Sequence, residues 1–154
     1  MGLVGSVGPA SALAPERGWG WPLDPRPAVL ARFDPPQQTW GAGHRGVDLA
    51  AAVGQRVLAP SAGVVTFSGV VVDRGVLVVT AASGLRSSLE PVTGTVSVGT
   101  PVARGQVVGQ VSAATGHCDP VTCLHWGVLR TETYLDPLTI VGTRRVVLLP
   151  LRPP

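Results

Sequence analysis

The sequence predicts an all-β protein, a single small sandwich- or barrel-like domain with a groove in its sheet. Three observations carry that expectation. Twenty glycines and fifteen prolines punctuate 154 residues, which leaves room for short strands and tight turns more readily than for helices. The segments between them are rich in valine, whose β-branched side chain suits a pleated surface. No segment sustains a 3.6-residue apolar period over three turns.

Residues 1–17 read as a leader or linker remnant. They are small and apolar as far as Ala14, and Ala10-Ser11-Ala12 resembles a signal-peptidase site. A positive n-region is missing, and Gly5 and Pro9 interrupt the apolar stretch. Residues 18–43 read as an extended arm rich in Pro and Trp. Pro22, Pro25, Pro27, Pro35 and Pro36 leave space for at most one helical turn, around Ala28–Phe33. Trp19, Trp21 and Trp40 are expected to pack the arm over the domain.

The core domain is expected at 44–142. Its candidate strands are Arg56–Pro60, Gly63–Gly69, Val76–Thr80, Leu85–Glu90, Pro101–Ala103, Gln106–Val111 and Cys123–Arg130. Turns fall at Ser61-Ala62-Gly63, Ser83-Gly84 and Arg104-Gly105. Residues 143–154 form a C-terminal tail, with Val146–Leu149 a candidate last strand. One internal echo links the two halves: Val53-Gly54-Gln55-Arg56-Val57 leading to Gly63-Val64-Val65, and Val98-Gly99-Thr100-Pro101-Val102 leading to Gly105-Gln106-Val107. Biotinyl- and lipoyl-carrier domains share such repeats, but they need a lysine for the prosthetic group. This chain contains none, which eliminates a swinging-arm carrier.

All twelve basic residues are arginines, and the net charge is +3, a mild excess suited to an anionic surface. The arginines are scattered and aromatics make up only 5% of the chain, so the sequence shows neither a phosphate stripe nor a base-stacking platform, and no nucleic-acid partner is expected. No apolar run is long enough to span a membrane.

The chemistry concentrates in a few positions. His44 and Asp48 stand four apart in His44-Arg45-Gly46-Val47-Asp48, and His125 lies in the distant strand segment Cys123-Leu124-His125-Trp126. Two of the chain's three histidines therefore fall in these motifs. Two imidazoles and a carboxylate make a three-ligand zinc site, which leaves one coordination position for water, as in a hydrolytic centre. Cys118 and Cys123, with Pro120 turning the chain between them, fit either a small-loop disulfide or thiolate ligation of a metal.

The segments GHRGVDLAAAVGQRVLAPSAGVVTFSG, SVGTPVARGQVVGQV and CLHWGVLR, in that order and spacing from about Trp40 to Pro137, resemble the M23 family of zinc metallopeptidases, the lysostaphin- or LytM-type peptidoglycan endopeptidases. The CLHWG ending is similar to a subset of the family in high-GC Gram-positive bacteria. The resemblance implies that His44, Asp48 and His125 are Zn²⁺ ligands. It implies a hydrolase of amide bonds in cell-wall peptides, located in the cell envelope or outside the cell, with peptidoglycan or another wall hydrolase as partner.

Two departures qualify this reading. Cys123 stands where active members carry the first histidine of His-x-His, and Pro91 stands where an assisting histidine is expected. Two residues are candidates to take over the proton handling. Glu90 is a candidate general base, and His117 is an imidazole able to swing towards the groove. The alternatives are a member without activity that binds zinc or wall peptide as a regulator or scaffold, and a closed structural site with Cys123 as fourth ligand. A disulfide argues against the last, because an oxidised sulfur is no thiolate ligand. Arg45 and Arg86 are candidates to face anionic groups of the wall. Tyr134 with Asp136-Pro137 resembles the family's closing turn, and Tyr134 is a candidate to line the groove.

Overall fold

The computed structural model describes residues 18–114 and 117–141. The leader reading at 1–17 and the tail reading at 143–154 lie outside the described residues. Within them the chain forms β1 (Val29–Ala31), β2 (Val47–Ala50), β3 (Arg56–Leu58), β4 (Gly63–Val71), β5 (Arg74–Thr80), β6 (Arg86–Glu90), β7 (Val92–Gly94), β8 (Pro101–Val102), β9 (Val107–Val111), β10 (Cys123–Arg130), β11 (Thr133–Leu135) and the single helical turn α1 (Pro137–Ile140). The all-β expectation holds.

The larger sheet runs β1-β2-β10-β6-β5-β4-β8, with β11 paired to β10; the smaller runs β3-β9-β7. Every pairing between these strands is antiparallel. The core lies between the sheets. Trp126, Leu124, Val47, Leu49, Leu77, Val79 and Leu89 of the larger sheet meet Val57, Val92, Val108 and Val111 of the smaller one.

Strand periodicity decides what faces outward. In β10, Leu124, Trp126 and Val128 point into the core, so Cys123, His125 and Gly127 share the opposite face. In β2 the core residues Val47 and Leu49 flank Asp48. In β6 the buried Ser87 and Leu89 leave Arg86, Ser88 and Glu90 on the groove side. The fully buried Trp126 keeps its indole N–H satisfied by donating to Ser87 Oγ at 3.3 Å, which a buried polar group requires.

The internal echo has a structural counterpart. Gly54 and Gly99, the glycines of the two Val-Gly turns, both adopt positive φ, at 83° and 91°. The strands that follow them pair crosswise: β3 with β9 in one sheet, and β4 with β8 in the other, where Gly63 opposes Val102. Each half of the echo thus completes a ladder with the other.

The arm differs from expectation in two respects. Around Ala28–Phe33 it makes no helical turn. Val29–Ala31 instead adds an edge strand to β2, because the unpaired edge of β2 offers ladder partners that outweigh local propensity. Trp19 is buried and Trp21 packs against Trp126 with ring centroids 6.4 Å apart, but Trp40 is 82% exposed and packs nothing down.

Candidate metal centre

Asp48, His125 and Glu90 form one row across three neighbouring strands. In the β2–β10 ladder His125 opposes Asp48, and in the β10–β6 ladder the same His125 opposes Glu90. Directly opposed residues project to the same side of a sheet, so the two registers put imidazole and both carboxyls on one face. His44 joins from the loop before β2. Its backbone is pinned by a two-way bridge to Asp34, with N···O distances of 2.9 and 2.7 Å.

Gly46 lets the segment between His44 and Asp48 cross β10 at close range. A Cβ at this position would overlap the Trp126 carbonyl oxygen and lie 2.8 Å from both Cε1 and Nε2 of His125. Only glycine fits there without moving a donor side chain.

The donor atoms converge tightly. Asp48 Oδ1 is 2.8 Å from His125 Nδ1 and 3.1 Å from His44 Nε2, and those two nitrogens are 3.3 Å apart. His117 adds a fourth donor: its Nε2 is 3.0 Å from Asp48 Oδ2 and 3.4 Å from His44 Nε2. One ligand atom from each of the four residues lies within 4.8 Å of all the others. With metal–nitrogen and metal–oxygen bonds of about 2.0–2.1 Å, the edge of a zinc tetrahedron is about 3.3 Å. Separations of 2.8 to 3.4 Å are close to that edge, so the residues present fit zinc.

A second observation supports the fit. His44 Nδ1 lies 2.7 Å from the Arg32 carbonyl oxygen, and a carbonyl can only accept. Nδ1 is thereby held as the donor, and Nε2 is the ring nitrogen that faces the cluster, the outer-shell arrangement typical of metal-binding histidine.

Asp48 itself is almost completely buried. Burial pushes its carboxyl up, but the hydrogen bond from His125 and the fields of His125, His117 and His44 outweigh that, and the carboxyl is held below its ordinary range. An ionised carboxylate is the form a cation needs.

Cys118 and Cys123 form a disulfide. No free cysteine exists among the described residues, so thiolate ligation by either sulfur is ruled out. Glu90 Oε2 accepts from Arg74 Nε at 2.7 Å. A small cavity of about 50 Å³ beside the cluster is lined by Glu90, Pro91, His117, the disulfide and His125. A shallower hollow of about 280 Å³ joins Glu90, His117 and His125 to His44, Arg45 and Tyr134. Tyr134 does line the groove, and Asp136 caps α1 by accepting from the Leu138 N–H at 3.0 Å.

Arg45 and Arg86 are occupied by backbone. Arg45 donates to the carbonyls of Thr39 and Gly41, and Arg86 to that of Thr131, so both clamp loops. Sequence reasoning missed Arg74 as the partner of Glu90 and Gly46 as the crossing point. It also missed His117 as a fourth donor. The signal for the last was present: a disulfide from Cys118 to Cys123 returns residue 117 to the strand face that carries His125.

The antiparallel two-sheet fold and its His/Asp donor set are those of a metallopeptidase-family domain. The chain belongs to peptidase family M23, whose sequence model matches residues 42–137. It is 40% identical over 149 residues to the protein Rv2891 of Mycobacterium tuberculosis and to Mb2915 of Mycobacterium bovis, matching 94% of this chain and 60% of theirs. The chain thus spans about three-fifths of the length of the curated relatives it matches.

Among solved structures, the fold is similar to a zinc-containing peptidase from Vibrio cholerae, with a TM-score of 0.65, 23% identity, and coverage of 78% of this chain and 39% of that one. It is also similar to the catalytic domain of lysostaphin from Staphylococcus simulans, with a TM-score of 0.61, 24% identity, and coverage of 73% and 90%. A chain of the SpoIIQ–SpoIIIAH pore-forming complex matches with a TM-score of 0.66, 18% identity, and coverage of 83% and 92%. At these identities the likeness is one of fold.

Proposed function

We propose that the protein is a zinc-dependent metalloendopeptidase that hydrolyses amide bonds in peptidoglycan peptides, acting in the cell envelope or outside the cell. The observation that carries this reading is the row Asp48–His125–Glu90 with His44 closing on it. It combines a donor set for a divalent ion with a carboxylate for proton transfer on one face of a sheet.

His44, Asp48 and His125 would hold the metal, with His117 at hand as a further donor. A zinc ion there supplies Lewis-acid polarisation of a carbonyl and activation of water. The remaining work falls to the protein's own groups. Glu90 takes the proton from the nucleophile as general base and returns it to the leaving amine. Arg74, bonded to Glu90 Oε2, fixes the carboxylate's orientation. Tyr134 and Arg45 border the hollow on the His44 side, where an extended peptide can lie along it.

The exported setting is supported by the disulfide, which persists in oxidising compartments. No helix among the described residues is long and apolar enough to cross a membrane. The test is to incubate zinc-loaded protein with purified peptidoglycan and measure newly released amino groups, with His125→Ala as the control. Release above that control supports the hydrolase. Release equal to it, with zinc bound, favours the second reading, a zinc-binding regulator or scaffold for other wall hydrolases. That reading draws its support from His117, whose position beside the other donors fills the side of the cluster that a hydrolytic centre keeps open.

A further inference from the structure

We propose that His117 is a detachable fourth ligand of the metal centre, held at its post by the Cys118–Cys123 disulfide, so that the oxidised loop closes the coordination sphere and the departure of His117 opens it. The proposal rests on the zinc reading above and adds a state of that site.

The division of Asp48 between its neighbours is the first argument. His44 and His125 both approach Oδ1, whereas His117 approaches Oδ2, so it occupies a side of the carboxylate that the other two leave vacant. Its ring stacks on His44, with centroids 5.5 Å apart and an interplanar angle of 25°, and meets His125 edge-on at 5.1 Å. These contacts aim Nε2 at the cluster from the solvent side.

Exposure is the second. The side chain of His117 is 55% exposed, against 18% for His44 and 15% for His125. His125 is built into β10 and His44 is half-buried in the loop before β2, whereas His117 is the donor that can leave without disturbing the core.

The disulfide is the third. Cys118 follows His117 directly, and its partner Cys123 opens β10 two residues before His125, on the same strand face. The loop between them is tightened by the Val121 N–H donating to the Cys118 carbonyl at 3.0 Å. A covalent clasp at this spot fixes the backbone of residue 117 relative to His125. Both sulfurs lie within 4.8 Å of an Asp48 carboxylate oxygen, which locates the clasp against the cluster itself. With four N/O donors the centre has the closed character of a structural site, and with three it has the open position of a hydrolytic one.

The experiment measures zinc affinity by competition with a chromophoric chelator, and the visible absorption of the cobalt(II)-substituted protein, for wild type, His117→Ala, Cys118→Ser/Cys123→Ser and His125→Ala. His117→Ala should bind zinc about 10–100-fold more weakly, with a fainter cobalt spectrum, and added imidazole should restore both. The double serine variant should fall between it and wild type. Unchanged affinity and spectrum in His117→Ala, with His125→Ala abolishing binding, would overturn the fourth-ligand assignment and leave the zinc reading standing. A double serine variant identical to wild type overturns the role of the clasp. Wild-type protein that binds neither metal removes the zinc reading and this inference together.

Discussion

His125 Nδ1 and Asp48 Oδ1 are 2.8 Å apart across directly opposed positions of β10 and β2. Their separation is set by the ladder as well as by rotamers, so the shortest contact of the donor cluster is built into the hydrogen-bonding of the sheet. Replacing either residue should therefore remove donor capacity without unfolding the strands. Asp48→Asn and His125→Ala are expected to lose zinc at stoichiometric loading, with circular dichroism unchanged. Full zinc occupancy in either variant would refute the ligand assignment.

Acid should act on the metal-free protein through Asp48. Its carboxyl is held below the ordinary value of 3.8, so its contribution to stability is complete above about pH 4 and drains away as the pH falls through the lowered folded value. Denaturant titrations between pH 2 and 6 in chelator are expected to show a steeper decline below pH 4 for wild type than for Asp48→Asn. Parallel profiles would remove Asp48 as the source.

Gly46→Ala is expected to behave as a metal-site mutation although residue 46 bears no donor. The added methyl would meet the Trp126 carbonyl and the His125 ring, and the ring is the softer of the two obstacles. Zinc affinity should drop about 10-fold or more, in the range seen when support for a ligand is lost. Affinity equal to wild type would mean that the crossing relaxes by moving backbone instead.

Glu90→Gln should lower peptidoglycan hydrolysis by about 10²–10⁴-fold with zinc content unchanged, the range expected for a general acid–base group. Arg74→Ala should also lower the rate, because it frees the Glu90 carboxylate from the guanidinium that orients it. Full activity in Glu90→Gln would transfer the proton-handling role to another group.

Trp126→Ala tests the core beneath the site. The side chain is fully buried, packs on Trp21 and satisfies Ser87, so the substitution should cost about 3–5 kcal/mol, as for other large aromatic deletions. Thermal denaturation reads this directly, and a loss below about 1 kcal/mol would contradict the packing described.

Much of this architecture was legible because it depends on local chemistry. Turn glycines and valine runs located β3, β4, β5, β6, β8, β9 and β10 to within a few residues. β1, β7 and β11 escaped because each is only three residues long, so that only the partner strand makes it a strand. β2 was hidden inside the His44–Asp48 motif. The candidate donors His44, Asp48 and His125 could be named because two of the three histidines fall in short motifs and those motifs resemble the M23 pattern. The place of His117 follows from a covalent loop folding back onto β10, which the Cys118–Cys123 pair signalled, whereas the tie between Glu90 and Arg74 depends on strand pairing and is not a property of spacing. Trp40 was expected to pack on grounds of residue type alone, and type does not say which of three tryptophans lies over the sheet.

The pairing of His44 with the Arg32 carbonyl reaches beyond the stretch that the family shares. The match begins at residue 42, yet the imidazole's Nδ1 donor is fixed ten residues earlier, by the residue that directly follows the edge strand β1. A recombinant fragment trimmed to the family boundary would keep every donor side chain and lose the group that orients one of them. The working unit of this domain starts upstream of its recognisable signature, and fragments intended for assay or crystallisation should retain residues from 18 onward.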